Sequence, residues 1–207
     1  MHELLPLFVN LGGRRVVLVG AGPVALSKLA QLRAVGADVF VVAPDIHAEI
    51  AASGVTVARR EFVPSDLDGA WLVVAAAPPL VNRAVAAAAE ARHLLVNAVD
   101  DPPNASAFLS GVVRRDGVTL AISTSGAAPG LTGLLREALD AVLPRDLSEW
   151  MAVAREERLA WRCEGVPMER RRPLLLRALN RIYGMSTEQA ARPDALVASA
   201  GVRGDGG

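Results

Sequence analysis

The 207 residues carry 22 basic and 22 acidic side chains and are 52% hydrophobic, enough apolar material for a packed core and too little net charge for a nucleic-acid-binding surface. No apolar run approaches the roughly 20 residues of a membrane helix, and residues 1–6 lack the basic-then-apolar order of a signal peptide, so a cytoplasmic protein that uses no membrane is expected. Cys163 is the single cysteine, which excludes an internal disulfide and a cysteine-cluster metal site.

Residues 4–11 form a short apolar lead-in, and Gly12-Gly13 turns the chain into a strand whose buried run is residues 16–19. The stretch Gly20-Ala21-Gly22-Pro23-Val24-Ala25 joins that strand to a helix. A diphosphate needs this order: Gly20 lets the chain reverse, Gly22 lets the backbone approach phosphate oxygens, and Ala25 lets the helix pack closely on the strand. The helix start then offers free N–H groups to the anion. An ordinary strand–turn–helix joint has the same outline, but the position near the N-terminus, with a strand before and a helix after, favours a dinucleotide site. Gly36 ends the helix. Residues 38–43 read as a second buried strand, Pro44-Asp45 as the cap of a short helix, and residues 56–60 as a third strand. A fourth strand at 71–76, an alanine-rich helix at 81–92 and a fifth strand at 94–99 complete the pattern. Strands separated by crossover helices predict an α/β fold with a mostly parallel sheet, helices on both faces, and a ligand crevice at the carboxyl ends of the strands.

Cofactor choice is read at the end of the second strand, where NAD-binding folds usually place an acid for the ribose hydroxyls. Ala43 holds the expected place and Asp45 follows two residues on, with no Arg or Lys between them for a 2′-phosphate. NAD is favoured over NADP, while Asp45 as a plain helix cap remains the alternative. Asn97 and Asp100 stand at the carboxyl end of the fifth strand and are expected to face the crevice. A carboxylate there can take a proton while hydride leaves for the cofactor. Asp100-Asp101-Pro102-Pro103 as a simple turn is the competing reading.

Beyond the sheet, residues 111–121 read as a hairpin with Asp116-Gly117 as its two-residue turn. The small-residue loop 123–129 opens a helix over about 131–143, which Pro144 stops. Ser123 and Thr124 in that loop are candidates for holding a substrate carboxylate at the helix start, with a plain helix cap as the alternative. Helices follow at 148–161, 168–183 and 187–191. Between positions 155 and 181 there are eight arginines against four acids, a local excess of four positive charges. That excess suits either a polycarboxylate ligand or a solvated face.

Together these stretches resemble the siroheme-synthase N-terminal family, the precorrin-2 dehydrogenases, some of which are also sirohydrochlorin ferrochelatases. The residues that carry the resemblance are Gly20 to Ala25 with Lys28, Asn97-Ala98-Val99-Asp100-Asp101-Pro102, Ser106-Ala107-Phe108 and Ser123-Thr124-Ser125-Gly126-Ala127-Ala128-Pro129. The match covers about residues 4–143 and, more loosely, the helices beyond. The helices within 146–199 read as a helical domain and the Gly-rich residues 200–207 as a disordered tail, and the resemblance implies a Rossmann-like NAD-binding domain over 1–110 and a dimerisation region over 111–145. It further implies that Asp100 is the catalytic group. NAD would be held by Gly20, Ala21, Gly22, Pro23 and Val24, and by Ala43, Pro44 and Asp45 at the second strand's end. Two departures stand out: Ala77-Pro78-Pro79 replaces a more polar loop after the fourth strand, with Asn82 still matching, and Ser125 stands where a second glycine is usual.

The expected activity is NAD-dependent oxidation of precorrin-2, a tetrapyrrole substrate, to sirohydrochlorin by a homodimer, with Asp100 removing the proton. Insertion of Fe²⁺ into the product is a second candidate activity. It needs no dedicated metal site, because the macrocycle supplies the ligands and His2, His47 and His93 are too scattered for a metal motif. The 207 residues leave no room for the methyltransferase fused in some relatives, so the late steps alone are expected. The rival reading is a dinucleotide-sensing module that binds NAD without turnover.

Overall fold

The computed structural model describes residues 4–184. The expected helix at 187–191 and tail at 200–207 lie outside them. The chain divides into two compact units, Met1–Leu109 with Ser125–Ala127, and Ser110–Thr124 with Ala128–Gly207.

The first unit is built on β1 (Arg15–Val19), β2 (Asp38–Val42), β3 (Thr56–Ala58), β4 (Leu72–Ala75) and β5 (Leu95–Ala98). All pairs are parallel and the order is β3-β2-β1-β4-β5. Because side chains alternate across a strand, β1 sends Val16 and Leu18 to one face and Val17 and Val19 to the other, and all four are buried. The first face is covered by α1 (Pro23–Ala34) through Ala25, Leu29 and Leu32, and by α2 (Ala48–Ala52) through Ile50. The second is covered by α3 (Pro79–Glu90) through Val85, Ala88 and Ala89. The α/β sheet with helices on both faces is therefore as the sequence predicts. After β1 the chain proceeds outward to β2 and β3, then returns to place β4 on the other side of β1. That reversal opens a crevice between the carboxyl ends of β1 and β4.

Local details differ from the sequence reading. The short helix α2 is capped by His47, whose Nδ1 accepts from the Glu49 N–H at 3.3 Å, and not by Pro44-Asp45. The cap moves because the His47 N–H donates to the Ala21 carbonyl at 3.0 Å, which ties the loop after β2 to the glycine turn and delays the helix. β3 stops at Ala58, two residues short of the expected end. Arg60 instead turns its guanidinium onto Asp66, which also accepts the Val63 N–H at 2.9 Å. The Arg60 hydrogen bonds hold the Asp66 carboxyl below the usual carboxylate range, against the opposing effect of its own burial.

The second unit opens with the antiparallel hairpin β6 (Gly111–Arg115) and β7 (Val118–Ile122). Asp116 and Gly117 have φ of 49° and 84°, the left-handed pair that a tight two-residue hairpin turn requires. Packed on β6 is α4 (Pro129–Val142): Arg115 donates to the Leu143 carbonyl at 2.9 Å and pairs with Asp140 at 2.7 Å. Two further helices, α5 (Leu147–Cys163) and α6 (Met168–Ile182), pack together. At one end of that pair the Trp150 indole N–H donates to the Tyr183 hydroxyl, their rings edge-to-face at 6.2 Å.

Candidate active site

The crevice of the first unit begins at the turn from β1 into α1. Gly20 has φ of 101°, and a Cβ there would overlap the Ala76 carbonyl oxygen, so only glycine lets this turn lie against the chain leaving β4. Its N–H donates to the Val42 carbonyl at 2.9 Å, and the Ala76 N–H to the Val19 carbonyl at 2.8 Å. Gly22 is the N-cap of α1. A Cβ at Gly22 would meet nothing within 4 Å, so the turn leaves open space on the side a diphosphate would approach. No side chain caps this helix end and no acid lies in its first turn, so its N–H groups and positive dipole end are available to an anion. Pro23 starts the helix, Val24 lines the crevice, and the wholly buried Ala25 seats α1 against the sheet. Ala21 is buried beneath the turn. These features fit a dinucleotide diphosphate. At the end of β2, Ala43 is buried while Pro44 and Asp45 are exposed, with the Asp45 carboxylate not used as a helix cap.

The crevice has a volume of about 440 Å³ and runs from Val24 past Ala76 and Ala77 to Asp100. Asp100 follows the β5 end by two residues, is exposed, and has φ of 56°. Left-handed backbone is uncommon for a residue with a Cβ, and aspartate is among those that adopt it most readily. No hydrogen bond engages the Asp100 carboxylate among the described residues. Its neighbour Asp101 is engaged, with both carboxylate oxygens accepting from the Asn104 amide at 2.8 and 2.9 Å. A short 3₁₀ turn over Pro102–Asn104 follows. The expected turn at Asp100-Asp101-Pro102-Pro103 and an open carboxylate on the crevice therefore coexist.

Behind Asp100, the segment 106–107 folds back on β5. The Ser106 hydroxyl accepts from the Val96 N–H at 2.9 Å, and the Ser106 and Ala107 N–H groups share the Val96 carbonyl. Asn97 belongs to this clamp. Its amide donates to the Ala107 carbonyl at 2.9 Å and its side chain is buried, with Oδ1 unpartnered among the described residues. The expectation that Asn97 faces the crevice is corrected. Alternation along β5 gives Val96 and Ala98 to the α3 side, so Asn97 points to the opposite face of the sheet, beneath the returning chain. Ser123 and Thr124 follow β7 in the second unit. The Thr124 hydroxyl lies 3.0 Å from the Thr132 hydroxyl and accepts the Ala128 N–H at 3.2 Å, which ties the loop to the N-cap residue of α4.

The α3 wall of the crevice was less legible. Asn82 is buried and its Oδ1 accepts the Ala77 N–H at 3.1 Å, bracing the Ala77-Pro78-Pro79 loop that departs from the family pattern. Arg83, which the sequence reading did not single out, lines the same wall. The available signal was phase. A helix opened by Pro79 just past the carboxyl end of β4 puts Pro79, Asn82 and Arg83, at i, i+3 and i+4, on one face along the crevice.

Residues 7–111, half of the chain, match a family model described as "Putative NAD(P)-binding". Siroheme synthase 1 of Cronobacter sakazakii is 45% identical over 157 residues, covering 73% of this chain and 33% of that protein. Siroheme synthase of Photorhabdus laumondii is 37% identical over 188 residues, covering 88% of this chain and 40% of that protein. The similarity to siroheme synthases expected from the motifs is thus present, and the chain spans about a third of the length of the curated relatives it matches. Among solved structures, "SirC, precorrin-2 dehydrogenase" superposes with a TM-score of 0.64 over 96% of this chain and 98% of that one, at 23% identity, a likeness of fold.

Proposed function

The chain belongs to the NAD(P)-binding family that its residues 7–111 match, and we propose on that premise that it oxidises precorrin-2 to sirohydrochlorin with NAD⁺ as hydride acceptor. The observation that carries this reading is Asp100, an uncommitted carboxylate on the same crevice as the open start of α1. Bound NAD⁺ supplies a two-electron acceptor. The hydride that the substrate C–H bond gives up would go to that acceptor, and Asp100 is the residue that takes the accompanying proton on a carboxylate oxygen. The loss of one hydride and one proton balances the oxidation. The turn at Gly20 to Val24 would hold the diphosphate by its uncommitted backbone N–H groups, since Gly20 N–H is given to Val42 and Pro23 has none, and Asp45 at the end of β2 would accept from the ribose hydroxyls. No Lys or Arg lies between Ala43 and Asp45, which supports NAD over NADP.

The test is purified protein with precorrin-2 and NAD⁺, followed by absorbance for NADH and sirohydrochlorin. Asp100→Asn keeps the size and the tolerance of left-handed backbone, so it removes only the base. Turnover falls by ~10²–10⁴-fold with NAD⁺ binding and fold retained. A protein that binds NAD⁺ without oxidising the substrate is the sensor of the rival reading, and the proposal then fails.

Fe²⁺ insertion is the second reading, favoured by the same open carboxylate, which can accept pyrrole protons as the metal enters. Among the described residues no three His, Cys, Asp or Glu side chains converge on a metal site, so iron arrives as substrate and the macrocycle ligates it. Sirohydrochlorin with Fe²⁺, followed by absorbance, tests it. The working unit is a homodimer joined through the hairpin and α4, whose outer face is apolar and exposed among the described residues.

A further inference from the structure

We propose that Arg83 is the anchor for a carboxylate of the substrate, a specificity-determining residue on the α3 wall of the crevice. The inference rests on the precorrin-2 reading and extends it. Two acids, Asp100 and Asp101, line the crevice, and a polycarboxylate ring entering there meets like charge. Asn104 engages both carboxylate oxygens of Asp101 but, being neutral, does not offset the charge. Arg83 is the single cationic side chain among the crevice-lining residues.

Its guanidinium is uncommitted. Arg60, Arg92, Arg115 and Arg136 are paired with Asp66, Asp68, Asp140 and Glu137, and Arg14 and Arg15 lie over the Trp71 and Phe40 rings. Arg83 has no ion pair, ring or hydrogen-bond partner among the described residues. Its backbone is nonetheless well placed, because the adjacent Asn82 is buried and bonded to Ala77, which fixes the first turns of α3 beside β4. A planar guanidinium on a braced helix suits a carboxylate, which it binds through two parallel hydrogen bonds. Val99 and Pro79 supply the apolar surface along which the ring lies, with Asp100 at its reacting edge. Arg83 thereby orients the ring and offsets the repulsion from the two acids.

The test compares wild type with Arg83→Gln and Arg83→Lys. For Arg83→Gln the KM for precorrin-2 rises at least 10-fold, while the KM and Kd for NAD⁺ stay within twofold. Arg83→Lys, which keeps the charge but not the fork, recovers part of the loss. A titration with sirohydrochlorin, read by its absorbance without turnover, weakens by the same factor in Arg83→Gln. A rise in the NAD⁺ constants instead, or unchanged tetrapyrrole binding in Arg83→Gln, overturns the assignment. Wild type that fails to oxidise precorrin-2 overturns the dehydrogenase reading, and the sirohydrochlorin titration then decides the Arg83 subsite by itself.

Discussion

A methyl group at position 20 has nowhere to go. It would overlap the Ala76 carbonyl oxygen at a backbone φ of 101°, so Gly20→Ala must either push β1 from β4 or unwind the turn. Alanine at an incompatible φ destabilises by more than ~1 kcal/mol. Because the strain falls at the mouth of the crevice, NAD⁺ affinity is expected to drop more than 10-fold, measured by titration calorimetry. Gly22→Ala makes the contrasting control for the fold, since its Cβ meets no protein atom and intrudes only on the space for a ligand. At the same scale Asp100 shows how a residue's backbone selects its informative variant. Its φ of 56° is a strained setting for most side chains, which is why asparagine separates the loss of the charge from a loss of the loop. Asp100 was legible as a candidate because it follows an apolar strand. Arg83 was legible only through its helical phase with Pro79 and Asn82, because its residue type is shared with many other arginines of this chain.

Among the elements, the connection from β3 to β4 depends on one polar knot. Asp66 is buried and accepts from Arg60 and the Val63 N–H, and the Arg60 hydrogen bonds depress its folded-state pKa. The stabilisation is complete above the unfolded-chain value of ~3.9 and is lost as pH falls through the lower folded value. Asp66→Asn is therefore expected to lower the melting temperature at pH 7 by roughly 2–4 °C. The gap from wild type narrows as the pH is taken below ~3.9, and a constant gap across thermal scans from pH 7 to pH 2.5 would contradict the assignment. Strand and helix order was readable from the apolar runs, since each of β1, β2 and β4 is buried on both faces and carries little polar interruption. Exact ends were not readable. β3 terminates where Arg60 finds Asp66, and α2 starts where His47 has already met Ala21, and both partners are remote in sequence or out of phase with any local signal.

In the second unit an unpaired apolar surface lies on α4. Helix α4 buries none of its residues in the single chain, and Leu131, Leu134, Leu135, Leu139 and Val142 remain 36–66% exposed along it. An apolar stripe of that kind is the signature of an interaction face, and the proposed homodimer covers it with the same stripe of a second copy. Light scattering coupled to gel filtration is expected to give twice the chain mass for wild type and the single-chain mass for Leu134→Glu. A monomeric wild type would leave α4 to another partner.

The order of elements, the two-sided burial of the central strands and the need for glycine at the first turn follow from the chain's own pattern. Each depends on apolar periodicity or on backbone freedom, which are properties of neighbouring residues. Where Asn97 points and which arginine lines the crevice were decided only in the folded chain. Each of those depends on a segment brought close by a strand crossover or a returning loop: the Ala107 carbonyl above Asn97, and the chain leaving β5 across the crevice from Arg83. Local pattern specifies which face a residue occupies, and the crossing of distant segments specifies what waits there.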